Sequence, residues 1–240
     1  MEDLVLTHKI ASYECGEDHL LKPECFMLLC QEMAESHAQL HGFGYDWGMQ
    51  SRMIWVEVQG CFEFLRRPTW KESVTLRTNT GTASALQARR FVEMSDTEGR
   101  IIARADLLWV LINFDTRRPI PLRRAKLDPS VTSECPPITT PPAEPSAWPE
   151  PQPDADITAP RRDVDFNGHI NNSAYLTWAL DALPAEARPG AAPARFRLQF
   201  RRESFCGEKL QVMHATVGKL TRHLITDGTQ CRADLCIEWA

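Results

Sequence analysis

No stretch of this chain approaches the ~20 consecutive apolar residues that a membrane span needs, and the opening Met1-Glu2-Asp3-Leu4 lacks the basic segment and apolar core of a secretory signal. A cytoplasmic protein without a membrane span is therefore expected. There is no Cys-x-x-Cys spacing and no paired Cys/His cluster, so the eight cysteines, scattered from Cys15 to Cys236, do not suggest a zinc site. A chain of 240 residues does not need disulfide staples, and most of these thiols are expected to be reduced, buried and to pack as small hydrophobes. Net positive charge is lacking too: the formal charge is -5, which argues against nucleic acid as a partner of the chain as a whole. The Gly-x-Ser-x-Gly elbow of serine hydrolases is also absent.

What is present reads as one element order written twice. Residues 24–41 place Phe26, Leu29, Cys30, Met33, His37 and Leu40 on one helical stripe, and Gly42-Phe43-Gly44 ends it. Strands are expected over 52–65, 73–80, 85–95 and 101–114, the first with Val56, Val58, Phe62 and Phe64 alternating against Glu57, Gln59, Cys61 and Glu63. After a break, a helix over 172–183 is followed by strands over 194–202, 209–217, 220–226 and 230–239. A long helix with a meander of strands is an α+β pattern, and helices alternating with parallel strands are not seen. Between the two sets, residues 127–160 hold ten of the seventeen prolines and almost no apolar periodicity, so a surface connector is expected there.

The stretch richest in chemistry is Asp165-Phe166-Asn167-Gly168-His169-Ile170-Asn171-Asn172, with Tyr175 and Trp178 just beyond. In an extended segment, alternate spacing would point Asp165, Asn167 and His169 to one side. Asn171 and Asn172 are good N-caps for the helix that follows, so the polar groups converge near a helix N-terminus. That end carries partial positive charge and suits an oxygen that becomes negative during reaction. Taken alone, such a motif also reads as a polar loop with a cap. Six Arg-Arg pairs, among them Arg89-Arg90 and Arg201-Arg202, read either as solvated strand ends or as a basic landing patch for an acidic partner.

At Asp165 to Asn172, Tyr175 and Trp178 the chain resembles the acyl-acyl carrier protein (acyl-ACP) thioesterases of plants and bacteria. Arg67-Pro68-Thr69-Trp70, Trp109-Val110 and Thr116-Arg117-Arg118-Pro119 resemble the family as well, and Arg201-Arg202-Glu203 resembles its second catalytic segment. In that segment a Glu is commonly followed by Cys, whereas Ser204 follows here. The resemblance implies two tandem hotdog folds, each a sheet wrapped around one helix, packed as a pseudo-dimer. Residues 1–127 would form an N-terminal hotdog binding the acyl chain, 128–156 a Pro-rich linker, and 157–240 the catalytic hotdog. The stretch before the first helix, Glu17-Asp18-His19-Leu20-Leu21, lacks the Asp-x-Asn-x-His set, which leaves that half free to hold substrate among side chains such as Phe26, Met27, Leu28, Met33, Trp55 and Trp109.

The implied reaction is hydrolysis of fatty acyl-ACP to free fatty acid and holo-ACP, ending chain elongation, with no cofactor and no metal. Asp165, Asn167, His169 and Glu203 are the implied catalytic residues: Glu203 as the base that deprotonates water, and Asn167 and His169 as donors, the imidazole also moving a proton. Asp165 orients His169, shares the base role or attacks the carbonyl itself, and the sequence leaves these open. The expected partner is an ACP carrying a fatty acyl chain, and whether two chains form a homodimer stays open. An acyl-CoA thioesterase of the same chemistry and a non-catalytic acyl-thioester sensor are the rival readings.

Overall fold

The computed structural model describes residues 2–125 and 135–240. They divide into two compact units, 1–140 and 141–240. The expected boundary at residue 127, and residues 128–134 of the expected linker, lie outside the described residues.

In the first unit β1 (Leu4–Lys9) precedes α1 (Pro23–Leu40) and the short α2 (Tyr45–Ser51), and then come β2 (Met53–Phe64), β3 (Ser73–Thr82), β4 (Gln87–Ser95) and β5 (Ile101–Asn113). All pairings are antiparallel, and the strand order is β1-β3-β4-β5-β2. Helix α1 starts at Pro23, whose missing N–H is no loss in a first turn. It stops at Gly42, which takes φ +75°. The Gly42 amide then donates to the Gln39 carbonyl at 3.1 Å and the Phe43 amide to the Ala38 carbonyl at 2.9 Å, the paired bonds of a Schellman cap. Phe43 completes the cap by packing on Ala38. Met27, Cys30, Met33, Ala34 and Ala38 join Phe26 and His37 on the buried stripe, and α1 lies against β1, β3 and β4.

The second unit repeats the plan with β6 (Gln152–Thr158), α3 (Asn172–Ala182), β7 (Pro193–Phe200), β8 (Lys209–Val217), β9 (Leu220–Thr226) and β10 (Cys231–Trp239). Its order, β7-β10-β9-β8-β6, is the first unit's order with each strand replaced by its counterpart. Helix α3 packs on β8 and β9. The α+β reading holds in both units: one main helix against one antiparallel five-stranded sheet.

Several sequence expectations change. Residues 152–158, part of the expected connector, are a strand paired to β8. Pro153 is tolerated there because β6 is an edge strand and its ladder breaks in a bulge between Pro153 and Ala155. Strand β1 was not anticipated. A second bulge between Glu57 and Gln59 shifts the alternation of β2, so Glu57 is buried while Val58 is half-buried. Leu28 and Leu40 are exposed, off the buried stripe. Of the eight cysteines, all free thiols, only Cys30, Cys61 and Cys236 are buried, and Cys206 is exposed. No helix of the described residues is long and apolar enough to cross a membrane.

Two histidines lie wholly inside the units. His223 on β9 has its Nε2 3.0 Å from Thr221 Oγ1, which also accepts the Trp239 indole N–H at 2.9 Å. Burial, with His214 nearby, pulls its pKa down to about 3, and burial with Arg90 nearby pulls His37 on α1 down to about 4. Both stay neutral in the fold while an unfolded imidazole takes up a proton below about pH 6.5. Stability is therefore full above about 6.5 and falls as the pH drops toward 4, by a few kcal/mol in all. Thermal melts over that window are expected to show a smaller loss of Tm for His223→Phe than for the parent, and an equal loss would refute the neutral buried imidazole.

Candidate active site

The approach to α3 is a tight turn, and the extended run expected from alternate spacing is not what forms. The Gly168 amide donates to the Asp165 carbonyl at 3.0 Å, and the Asp165 amide donates to the His169 carbonyl at 2.9 Å. Gly168 sits at φ +86°, a region open to glycine at little cost, and that reversal folds the segment back on itself. Asp165 Oδ1 accepts the Asn167 amide at 2.8 Å, a local bond typical of aspartate at a turn. Asp165 Oδ2 lies 3.5 Å from His169 Nδ1, which is also 3.4 Å from the Ile170 carbonyl. Asp165 and His169 thus face each other across the turn, both half-buried, while Asn167 is exposed at its tip.

Helix α3 begins directly behind this turn. Asn171 is its N-cap, with Oδ1 accepting the Ser173 amide at 2.9 Å. The Trp178 indole N–H donates to Asp163 Oδ2 at 2.8 Å, and the Asp163 carbonyl accepts the Asn171 amide at 2.8 Å. Tyr175 packs edge-on against Trp178 with ring centroids 5.4 Å apart. The two aromatic residues of the motif are therefore buried braces that hold the helix start against the turn, and its polar groups stand at the positive end of the helix dipole.

Glu203 follows β7, and its loop is tied to the same turn: the Ile170 amide donates to the Ser204 carbonyl at 2.8 Å. The Glu203 carbonyl accepts from Arg232 Nη1 at 2.7 Å, and the Arg232 carbonyl accepts the amides of Arg201 and Arg202 at 2.8 and 3.3 Å. Arg232 also pairs with Asp227 at 3.0 Å. Sequence reading missed this residue, which lies 29 positions from Glu203 in an ordinary strand. Glu203 is half-buried beside the turn. Ser204 is fully buried, its hydroxyl directed at the Tyr175 phenol without hydrogen-bond geometry. Among the described residues no group of His, Cys, Asp and Glu could hold a metal ion.

The first unit draws the same bonds with other side chains. The Gly16 amide donates to the Leu20 carbonyl at 3.0 Å, His19 to Gly16 at 3.0 Å, Leu21 to Pro68 at 2.9 Å and Lys22 to Glu14 at 2.9 Å. His19 takes the left-handed φ of +59° where Gly168 stands in the second unit. By this match Gly16 replaces Asp165, Asp18 replaces Asn167, Leu20 replaces His169 and Arg67 replaces Glu203. Arg67 Nη1 binds Asp18 Oδ2 at 2.7 Å, so the counterpart of the site is closed by its own ion pair.

Two family models match the chain: the acyl-ACP thioesterase N-terminal domain over residues 5–127 and the acyl-ACP thioesterase C-terminal domain over residues 150–240. An acyl-[acyl-carrier-protein] hydrolase of Cuphea viscosissima, named chloroplastic, is 30% identical over 83% of this chain and 51% of its own length. The chain thus spans about half the length of that relative. Among solved structures, an acyl-ACP thioesterase from Bacteroides thetaiotaomicron matches with a TM-score of 0.85 at 22% identity, covering 98% of this chain and 97% of that one. The 12:0-ACP thioesterase from Umbellularia californica matches with a TM-score of 0.79 at 25% identity, over 99% and 97% of the two chains.

The Ser204 hydroxyl is buried against the Tyr175 phenol, so removing it deletes at most one weak hydrogen bond together with a desolvated polar group. Ser204→Ala is expected to leave Tm unchanged or raise stability by about 1 kcal/mol. A loss of that size on thermal or urea unfolding would mean that the hydroxyl is bonded after all.

Proposed function

The chain belongs to the acyl-ACP thioesterase family, and from that membership we propose that it hydrolyses fatty acyl-ACP to free fatty acid and holo-ACP. The observation that carries the proposal is the bond from the Ile170 amide to the Ser204 carbonyl, which sets the Glu203 loop beside the Asp165–His169 turn. A thioester is an activated acyl group, so its cleavage needs a positioned water, a base, and donors for the tetrahedral oxygen. In the proposed reaction Glu203 takes a proton from water as its oxygen attacks the carbonyl carbon. The Asn167 side-chain amide and the α3 dipole stabilise the oxyanion, and the carbon–sulfur bond then breaks. His169 delivers a proton to the departing thiolate, and Asp165, 3.5 Å from its Nδ1, orients the ring.

The first unit, whose counterpart of the site is closed by Arg67 and Asp18, is assigned the acyl chain. Within the proposal residues 1–127 are the acyl-binding hotdog, 128–156 the linker and 157–240 the catalytic hotdog, although β6 already belongs to the second sheet. The exposed arginines beside the site, Arg161, Arg162, Arg201 and Arg202, offer an acidic carrier a landing surface. A cytoplasmic location remains part of the proposal, beside plant relatives whose names read chloroplastic.

Incubation with a ladder of acyl-ACPs and acyl-CoAs, with free acid measured, tests reaction and carrier together: release from CoA alone would overturn the carrier assignment, and release from neither would leave a sensor. Glu203→Gln and His169→Ala are each expected to lower kcat by about 10² to 10³ while Tm holds. An unchanged rate would remove that residue from the site. In a single turnover in ¹⁸O-labelled water, label should appear in the released acid, and label in Asp165 or Glu203 would replace direct water attack with an acyl-anhydride route.

A further inference from the structure

Beneath α1 the inner surface of the first unit changes character toward one end. On β3 the inward side chains run Val74, Leu76, then Thr78; on β4 they run Met94, Val92, then Arg90; and the α1 stripe runs Phe26, Cys30, Met33, then His37. Arg90 is 4% exposed and His37 is 0% exposed. The guanidinium makes a single hydrogen bond, from Nη1 to Thr78 Oγ1 at 3.2 Å, and no carboxylate of the described residues forms an ion pair with it, Glu35 and the Cys135 thiol acting on it only at longer range. His37 Nε2 faces the Glu2 carbonyl at 3.0 Å, which leaves its Nδ1 lone pair buried and unmatched. The indole N–H of Trp109, on the strand beside β4, is likewise buried without a partner.

An unpaired charge in such a place is strongly disfavoured, and burial pulls even this guanidinium down to about 10. Waters satisfy neutral orphans well, but they do not neutralise a cation. The arrangement is an apolar stripe that ends in a cationic donor cluster, complementary to an aliphatic chain that ends in a carboxylate. We propose that the first unit is a receptor for the far end of an acyl chain bearing a terminal carboxylate, with Arg90 pairing that carboxylate and His37 beside it. The inference rests on the acyl-binding role assigned above to this unit. It makes Arg90 a specificity-determining residue and an ω-carboxyacyl thioester the favoured substrate class.

The test compares an ω-carboxyacyl-ACP with the alkyl-acyl-ACP of matched length. The intact protein is expected to favour the ω-carboxyacyl substrate in kcat/KM by about tenfold or more, because a buried polar site discriminates against a ligand that leaves it unpaired. Arg90→Met is expected to abolish or reverse that ratio, whereas Arg89→Met, which removes a charge from the opposite face of the same strand, keeps it. Equal rates on the two substrates, or an Arg90→Met protein that retains the preference, would overturn the inference while leaving the thioesterase reading intact. Thermal shift with a free α,ω-dicarboxylate and the monocarboxylate of equal length provides a readout independent of hydrolysis. The dicarboxylate alone should raise Tm, and only when Arg90 is present. Hydrolysis of neither thioester would defeat the thioesterase reading, and the thermal shift would then decide the receptor on its own. Arg90→Met removes an uncompensated buried charge, so its own Tm is expected to be no lower than that of the parent.

Discussion

The bond from the Ile170 amide to the Ser204 carbonyl fixes where two loops of the second unit meet, and the side chains on both sides of it inherit their positions. Upstream lies the turn that presents Asp165 and His169; downstream the chain turns back from β7 with Glu203. Because the bond joins backbone to backbone, it does not depend on which side chains occupy the turn. It also places them beside the first turn of α3, where the aligned peptide dipoles favour negative charge. Arg232 secures the downstream side by binding the Glu203 carbonyl, so one strand of the sheet braces the loop that the turn leans on.

The same backbone frame, repeated in the first unit, carries a different set of side chains. Leu21 to Pro68 reproduces Ile170 to Ser204, and Lys22 to Glu14 reproduces Asn171 to Asp163. Yet Arg67, at the position of Glu203, forms an ion pair with Asp18 and donates to the carbonyls of Leu20 and Leu21. An arginine satisfied on three sides neither deprotonates water nor leaves room for it. The duplicated frame thus precedes a helix in both units while the side chains on it differ.

Long, strongly periodic elements were legible in the sequence: α1, α3 and the four strands after each helix stand within a few residues of where hydrophobic spacing puts them. Two kinds of feature were not. Edge strands carry a weak signal because half of their surface is exposed, and β6 also holds a proline that reads as a breaker until the bulge at Pro153 is known. The Asp165–His169 turn was misread as extended because alternate polar residues fit either shape, and Gly168 alone decides between them. The candidate site residues were singled out only through the family motif. What brings Glu203 to the turn is a pairing of distant backbone groups, to which no local pattern in the sequence points.

The two sheets also meet the problem of a polar level in their cores differently, and the difference begins in a bulge. By strand register Thr78 and Arg90 of the first unit correspond to His214 and Thr221 of the second. The second unit answers its polar level from within: Asp154, the extra residue that the β6 bulge inserts, places Oδ1 2.5 Å from His214 Nδ1. Strand β1 pairs with β3 in unbroken register, so it has no inserted residue and supplies no such carboxylate. Among the described residues, then, β1 brings no carboxylate to the Arg90 guanidinium as β6 brings one to His214, and the proposed ligand would supply it. The arrangement makes chemical sense if the anion belongs to a ligand that comes and goes, because a resident carboxylate would occupy the place the ligand must take.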